Sequence, residues 1–210
     1  IGPAFYNSVR NASLLTFASM FVSSMAGYGF VIFHDKWKNR VMGILMLSMM
    51  IPPAATLIPL FRMFSQAGLI NSVAGFMLPS IATVFLIFMF RQAAQTFPFE
   101  IVQAARIDGL GEFRIFLKMF VPVMKPTYAA AAIVTFMNAW NSYLWPLIVI
   151  TDNNKQTIQQ ALANFVGQLQ INWSQLLAMT TVAIVPVVLV FLVFQQFFMS
   201  GISAGAVKGL

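Results

Sequence analysis

The sequence is poor in the residues that most chemistry needs. Cysteine is absent from the 210 residues, which contain one histidine and five acidic residues. The lack of thiols excludes disulfides and cysteine metal sites. Little is also left for other metal sites or for acid–base catalysis, so we expect no cofactor bound by this chain and no enzymatic activity.

Charged residues are scarce as well, and hydrophobic residues are abundant. Charged residues make up 8% and hydrophobic residues 60% of the sequence, and the mean hydropathy is +0.82. A soluble domain of this length buries only about 70% of the surface that its unfolded chain exposes. It could not hide so much apolar surface, so the composition predicts a membrane protein with several spans.

Five apolar stretches are long enough for a helix to cross a bilayer core of about 30 Å, which takes about 20 residues. They cover residues 11–33, 41–61, 74–90, 127–150 and 175–199. The predicted fold class is therefore an all-α bundle of membrane-spanning helices. Prolines within these stretches predict broken spans, which are typical of transporters, although kinks that only serve packing are the alternative. These prolines are Pro52, Pro53, Pro59, Pro79, Pro146 and Pro186.

The net charge of +7 reflects membrane orientation and does not indicate nucleic-acid binding. The twelve lysines and arginines lie mainly in short connectors between the apolar stretches, nine on one side and three on the other. The nine lie in 34–40, 91–126 and the tail 200–210, and the three are Arg10, Arg62 and Lys155. Because positive loops stay in the cytoplasm, the 91–126 connector and the C-terminus are predicted to be cytoplasmic.

The sequence contains neither of two common means of supplying energy for the uphill transport of a solute. All five acidic residues lie in connectors, whereas ion-coupled carriers usually keep an acid inside a span. The sequence also lacks the GxxxxGK[ST] phosphate loop of many ATPases. A chain that moves a solute uphill would therefore depend on a partner for its energy.

The long connector at 91–126 predicts a helix–turn–helix at the membrane surface. Thr96 is expected to cap the first helix and Gly109 to end it in the left-handed conformation. A second helix is expected over 112–120. Ile101, Ala104, Ala105 and Asp108 share one face of the first helix. The small alanines suit docking into a groove of another protein, and an ordinary interfacial amphipathic helix is the alternative.

This connector resembles the EAA loop of permease subunits in binding-protein-dependent ABC importers. The family pattern is EAA, three residues, Gly, nine residues and I-x-L-P. The chain carries QAA at 103–105, Gly109 and MFVP at 119–122 with that spacing. The segments AARIDG (104–109), WNSYLWPLIV (140–149) and GISAGAVKGL (201–210) resemble the maltose-permease type in particular. Gln103 stands where the family has Glu.

The resemblance implies the fold of type I ABC importer permeases over residues 1–210, with 91–126 as the cytoplasmic coupling loop and 200–210 as a cytoplasmic tail. Such subunits usually have six spans, so a first span before residue 1 is expected to be missing here. The implied partners are a cytoplasmic ATPase dimer that binds the ATP, a second permease subunit, an extracytoplasmic solute-binding protein and the lipid bilayer of a bacterial or archaeal inner membrane. The implied contacts with the ATPase are Gln103, Ala104, Ala105, Asp108 and Gly109, with Lys208 in the tail.

Sugar contacts are predicted in the fourth stretch. Four side chains recur there at i, i+3, i+4 and i+7: Asn138, Asn141, Ser142 and Trp145. Amides hydrogen-bond sugar hydroxyls and an indole packs on a pyranose ring. An interfacial aromatic belt with asparagines joining helices is the alternative. For the whole chain, the alternatives are a permease for glycerol phosphate, a non-transporting membrane protein and an intramembrane enzyme.

Overall fold

The computed structural model describes residues 1–33, 35–167 and 172–206, and every regular element within them is helical. The all-α prediction is confirmed. The helices are α1 (Gly2–Ile32), α2 (Lys36–Ser48), α3 (Pro53–Gln66), α4 (Val73–Met77), α5 (Val84–Gln95), α6 (Phe99–Ile107), α7 (Glu112–Ile115), α8 (Val121–Val123), α9 (Lys125–Trp140), α10 (Leu144–Val149), α11 (Ile158–Val166) and α12 (Trp173–Ala206). A 3-10 turn (Leu78–Ser80) follows α4, and a π-helical turn (Phe116–Phe120) joins α7 to α8.

Within the described residues, two helices are each long and apolar enough to cross a membrane, namely α1 and the Trp173–Gln195 part of α12. Three further pairs qualify if each is taken as one bent span, which gives up to five. The pairs are α2 with α3, α4 and its 3-10 turn with α5, and the α7–α8 region with α9. The structure gives the predicted count of five spans only if each of these bent pairs is counted as one span.

Proline breaks some of these spans and not others. The second predicted span is interrupted before Pro53, and Pro79 lies in the 3-10 turn between α4 and α5, as predicted. In contrast, α3 continues through Pro59 and α12 through Pro186. The prediction of a break is wrong at these two positions.

The fourth predicted span is not one helix. α9 ends at Trp140, residues 141–143 are not helical, and α10 begins at Leu144. The prediction of a continuous helix over 127–150 is therefore wrong. Asn141 and Ser142 follow the helix instead of lying on its face.

The chain divides into two compact units. Within the described residues, the first comprises Ile1–Phe17, Ile51–Ile81 and Ile133–Val193, and the second Ala18–Met50, Ala82–Ala132 and 194–206. Because α1 is continuous, it contributes its first half to one unit and its second half to the other.

Trp140 is at the centre of the first unit. Its ring is fully buried, stacks on Phe136 at 5.8 Å between centroids and meets Phe5 edge-on at 5.8 Å. Its Nε1 donates to the carbonyl of Ala183 at 3.2 Å. A buried indole needs such an acceptor, and this bond joins the end of α9 to α12.

Asn71 joins two loops of the first unit. Its Oδ1 accepts from the backbone N–H of Thr151 at 2.7 Å and of Asp152 at 2.9 Å, and its own N–H donates to the carbonyl of Val149 at 2.8 Å. Lys155 Nζ donates to the Asn71 carbonyl at 3.1 Å. Asn71 has a φ of 57°, a left-handed conformation that asparagine tolerates better than most residues.

The second unit is built around stacked and edge-on aromatic rings. Phe116 and Phe120 stack at 5.7 Å, and Tyr28 and Phe97 meet Phe120 edge-on at 5.0 Å and 5.5 Å. We call Tyr28, Phe97, Phe116 and Phe120 the aromatic cluster. It joins α1, the segment before α6 and the π-helical turn.

Small residues of α1 allow close helix packing in the same unit. Ser19, Ser23 and Gly27 follow one another at intervals of four and are buried. A Cβ on Gly27 would lie 2.6 Å from Phe90 Cβ and 2.7 Å from the backbone N of Arg91. The small residue at position 27 therefore lets α1 lie directly against the backbone of α5.

We expect Gly27→Ala to destabilise the protein by about 1–3 kcal/mol, because even a methyl group would push α1 away from the α5 backbone. Gly29→Ala is the matched control, since a Cβ there meets nothing within 4 Å. Thermal unfolding of the purified protein in detergent measures the difference. Equal midpoints for the two variants would contradict the close approach.

We expect Asn71→Ala to cost roughly 2–3 kcal/mol, because it removes the side-chain bonds and leaves in the left-handed region a residue that lacks the polar side chain by which asparagine tolerates it. Asn71→Gly loses the same bonds without the strain, so its loss should be smaller. Unfolding midpoints and tryptic cleavage after Lys155 report the two effects. Identical losses would show that the backbone conformation contributes nothing.

Candidate coupling surface and solute site

The predicted coupling helix is α6, and it begins later than expected. Its N-cap is Pro98, whereas Thr96 is the C-cap of α5 and donates its hydroxyl proton to the carbonyl of Ala93 at 2.8 Å. The prediction that Thr96 caps this helix is wrong. Because α5 continues to Gln95, Thr96 completes that helix and does not start the next.

Gly109 ends α6 as predicted. Its φ is 76°, in the region that favours glycine. The N–H of Leu110 donates to the Ala105 carbonyl and that of Gly109 to the Arg106 carbonyl, both at 3.0 Å. These are the two bonds of a Schellman motif, and Leu110 packs against the same core as Ala105.

The buried face of α6 differs from the predicted one. Val102 and Ala105 are 0% and 4% exposed and pack into the core that contains the aromatic cluster. The prediction that Ala104 and Ala105 together face a partner is wrong for Ala105. The helix rests on positions 101, 102 and 105, so Ala105 faces the chain's own core while Ala104 remains exposed.

Four exposed residues form what we call the outer face of α6: Gln103, Ala104, Ile107 and Asp108. Ile107 is 86% exposed. Sequence reasoning missed Ile107. A signal was available, because Ile107 is an apolar residue that lies two positions before Gly109 and outside the buried stripe of the helix.

An ion pair holds α6 against α7. Arg106 Nε donates to Glu112 Oε1 at 2.7 Å across the Gly109 turn. The hydrogen bond to Glu112 raises the pKa of Arg106. Both side chains are more than a third exposed, so the pair adds little stability and serves mainly to orient the two helices.

Lys208, the predicted contact in the tail, lies outside the described residues, which end at residue 206.

The four predicted sugar contacts are not brought together. Asn138 is exposed on the last turn of α9, and Asn141 and Ser142 lie in the break after it. Trp145 Nε1 donates to the Gly75 carbonyl at 2.9 Å, and its ring meets Phe64 edge-on at 5.2 Å. Trp145 is therefore engaged in packing.

A groove of about 360 Å³ lies beside this break, in the first unit. Its lining residues come from the break, α11 and α12: Tyr143, Gln159, Leu162, Ala163, Val166, Leu176 and Thr180. Gln159 Nε2 donates to Asn141 Oδ1 at 3.4 Å, a long bond that joins the predicted Asn141 to the groove. Tyr143 supplies an aromatic ring that is 38% exposed.

Sequence reasoning missed Tyr143 and Gln159 for different reasons. In the sequence, Tyr143 lies between Trp140 and Trp145 as a member of an interfacial aromatic belt would, and Gln159 lies in a polar stretch between two apolar ones. Helix α11 is short, and its packing decides which amide lies at the groove.

Comparison with known proteins agrees with this fold. The family described as "binding-protein-dependent transport system inner membrane component" matches residues 19–203. The lactose transport system permease protein LacG of Rhizobium radiobacter is 44% identical over 204 residues, which cover 97% of this chain and 74% of that protein. The arabinooligosaccharides transport system permease protein AraQ of Bacillus subtilis is 36% identical over 205 residues, covering 98% and 73%.

A solved structure shares the architecture. One chain of a bacterial ABC transporter involved in the import of the acidic polysaccharide alginate superposes with a TM-score of 0.83 and 20% identity, over 93% of this chain and 74% of that chain. This likeness confirms the predicted fold of type I ABC importer permeases. Together with the family match, it establishes that the chain belongs to the inner membrane components of binding-protein-dependent transport systems.

Proposed function

We propose that this chain is a membrane subunit of an ABC importer that moves a sugar, driven by ATP hydrolysis in a partner. The observation that carries the proposal is α6, a short helix with one face buried in its own unit and the other left open to a partner. The names of the two relatives, a lactose and an arabinooligosaccharide permease, support the sugar.

The partners follow from the same proposal. The outer face of α6 would dock on a cytoplasmic ATPase dimer, and ATP would be bound there and not by this chain. A second permease subunit would complete the path, and an extracytoplasmic solute-binding protein would deliver the sugar. The 91–126 loop and the 200–210 tail with Lys208 would be cytoplasmic, with Lys208 in contact with the ATPase, and residues 1–210 would form one transmembrane domain.

The attachment of α6 suits it to transmit movement. Its buried stripe packs in the core that holds the aromatic cluster, and Tyr28 of α1 and Tyr128 of α9 pack in that core. The Schellman motif and the Arg106–Glu112 pair fix its far end. A displacement of the outer face would therefore move α6 as a rigid body, together with the adjoining turns of α1 and α9.

α9 would carry this movement toward the solute. It is unbroken from Lys125 to Trp140, and Asn141 follows it directly. Residues 141–143 are not helical, and helix-type hydrogen bonds remain at the two ends of this break, from the N–H of Asn141 to the Met137 carbonyl and from the N–H of Leu147 to the Tyr143 carbonyl. We propose that this break responds as the subunit alternates between outward and inward access.

We assign the sugar contacts to the groove beside the break. Asn141 and Gln159 would hydrogen-bond hydroxyls, and the Tyr143 ring would pack on the apolar face of the sugar. Asn138 and Ser142 adjoin this site, and Trp145 would only support it. The described residues that line the groove carry no charge, which favours a neutral sugar over glycerol phosphate.

We expect Gly109→Val to insert normally yet abolish lactose uptake and the stimulation of ATP hydrolysis by the binding protein. Valine costs about 1–2 kcal/mol in the left-handed region and would change the direction in which the outer face points. Gly109→Asn should retain more activity, since asparagine tolerates a positive φ. The readouts are uptake and ATP hydrolysis in vesicles.

Gly111→Val is the matched control for Gly109→Val. Gly111 lies in the same turn with a φ of −70°, and at both positions an added Cβ meets nothing within 4 Å. Near-normal coupling in Gly109→Val, or equal loss in the two valine variants, would contradict the role of the turn.

We expect Gln159→Leu to raise the half-saturation concentration for lactose uptake about tenfold. The reason is the loss of one hydrogen bond, which would leave a sugar hydroxyl unpaired. Asn164→Leu on the same helix is the control, because Asn164 is exposed and not among the lining residues of the groove. Both variants should keep the ATPase bound on purification. An unchanged half-saturation concentration in Gln159→Leu would remove the groove from the sugar path.

A further inference from the structure

A polar cavity of about 290 Å³ lies in the second unit, where α1 and α5 end. It is lined by Phe30, Val31, Asp35, Asn39, Arg91 and Gln95. The polar groups among the described lining residues are one guanidinium, one carboxylate and two amides, so the charges of these residues cancel. The cavity lies where the candidate span α1 and the bent candidate pair that ends with α5 both end, and the ends of membrane-spanning helices adjoin the headgroup region.

The guanidinium in this cavity is only partly engaged. Arg91 donates from Nη2 to Asn39 Oδ1 at 2.9 Å, whereas its Nε is buried and has no partner among the described residues. The ion pairs within that part of the chain are Arg106–Glu112 and Lys155–Asp152. Arg91 and Asp35 therefore face one cavity without pairing with each other.

A second, apolar depression adjoins the cavity at Phe30. This groove of about 310 Å³ is lined by Ala26, Gly29, Phe30, Phe33, Lys38 and Val41. Ala26, Gly29 and Phe30 share one face of α1 at i, i+3 and i+4, and Phe33 follows directly after the helix, so the groove extends along its last turns. Lys38 Nζ donates to the Gly29 carbonyl at 3.0 Å, which turns the ammonium toward the backbone and leaves its stem as part of the wall.

We propose that the cavity and the groove together bind one molecule of phosphatidylethanolamine. The phosphate would pair with Arg91 and accept from the amides of Asn39 and Gln95, and the primary ammonium would donate to Asp35. One acyl chain would lie along the α1 groove.

The lining discriminates among common phospholipids. Phosphatidylglycerol has no cation for Asp35 and would leave that carboxylate beside a phosphate. The trimethylammonium of phosphatidylcholine has no N–H to donate. Inorganic phosphate alone would use Arg91 but would gain nothing from the groove.

The test uses the complete importer, purified with its partner subunits and delipidated in mild detergent. Native mass spectrometry would record retention of phosphatidylethanolamine, phosphatidylglycerol and phosphatidylcholine with identical acyl chains, and of inorganic phosphate. We expect one phosphatidylethanolamine per copy of this chain, retained roughly tenfold better than the other two lipids. This difference is the size expected from one hydrogen bond to a charged group.

Charge variants separate the two ends of the headgroup. Arg91→Gln should reduce retention of phosphatidylethanolamine roughly tenfold, and Arg91→Lys should restore most of it. Asp35→Asn should remove the preference over phosphatidylglycerol. Because Asp35 Oδ1 accepts from the N–H of Trp37, asparagine keeps this helix cap and changes only the charge.

A pair of glycine variants tests the groove. Gly29→Leu should fill it and lower retention, whereas Gly43→Leu should not, although an added Cβ meets nothing within 4 Å at either position. Equal retention of the three lipids, equal effects of the two leucine variants, or retention of phosphate alone would overturn the proposal. A photo-crosslinker at Ala26 that labels a partner subunit instead of lipid would overturn it as well.

Discussion

The aromatic cluster beneath α6 is the contact on which the proposed coupling depends. A helix that docks on another protein must be held from its other side, and α6 has only nine residues, too few to be stable alone. Edge-on and stacked ring pairs contribute about 0.5–1.5 kcal/mol each beyond their burial. Tyr28, Phe97, Phe116 and Phe120 form three such pairs around one ring, so the position of α6 is set by this core.

The broken helices elsewhere in the chain need hydrogen-bond partners, because each break frees backbone polar groups. In the first unit, side-chain amides supply them. Gln160 Nε2 donates to the carbonyls of Pro146 and Ile150 at 3.2 Å and 3.0 Å, which satisfies acceptors in and just after α10. Asn71 does the same for the N–H groups of Thr151 and Asp152. These amides supply partners for backbone groups where the chain leaves helical geometry beside the groove.

The two candidate sites differ in how they are built. The outer face of α6 is presented by a rigid helix with a defined end, which suits repeated docking in one orientation. The proposed solute groove is assembled from a non-helical break, a short helix and one long helix, which suits a contact that forms and dissolves within a transport cycle. The proposed coupling helix would need rigidity and the proposed solute site adaptability, and both belong to one chain.

The sequence by itself determined the membrane class, the all-α fold, the place of α6 and the turn at Gly109. Each rests on a local property: total apolar content, the length of apolar runs, helical spacing, and the one residue type that accepts a positive φ without cost. The family was expected from a resemblance, carried by the QAA–Gly–MFVP spacing together with the segments AARIDG, WNSYLWPLIV and GISAGAVKGL, which are local features of the sequence as well. Only the tertiary structure decided that Ala105 faces inward, that Ile107 faces outward, that α9 stops at Trp140 and that Trp145 packs on Phe64. Those outcomes depend on which neighbours each helix meets, and helical periodicity fixes the faces of a helix without saying which one the rest of the chain will cover.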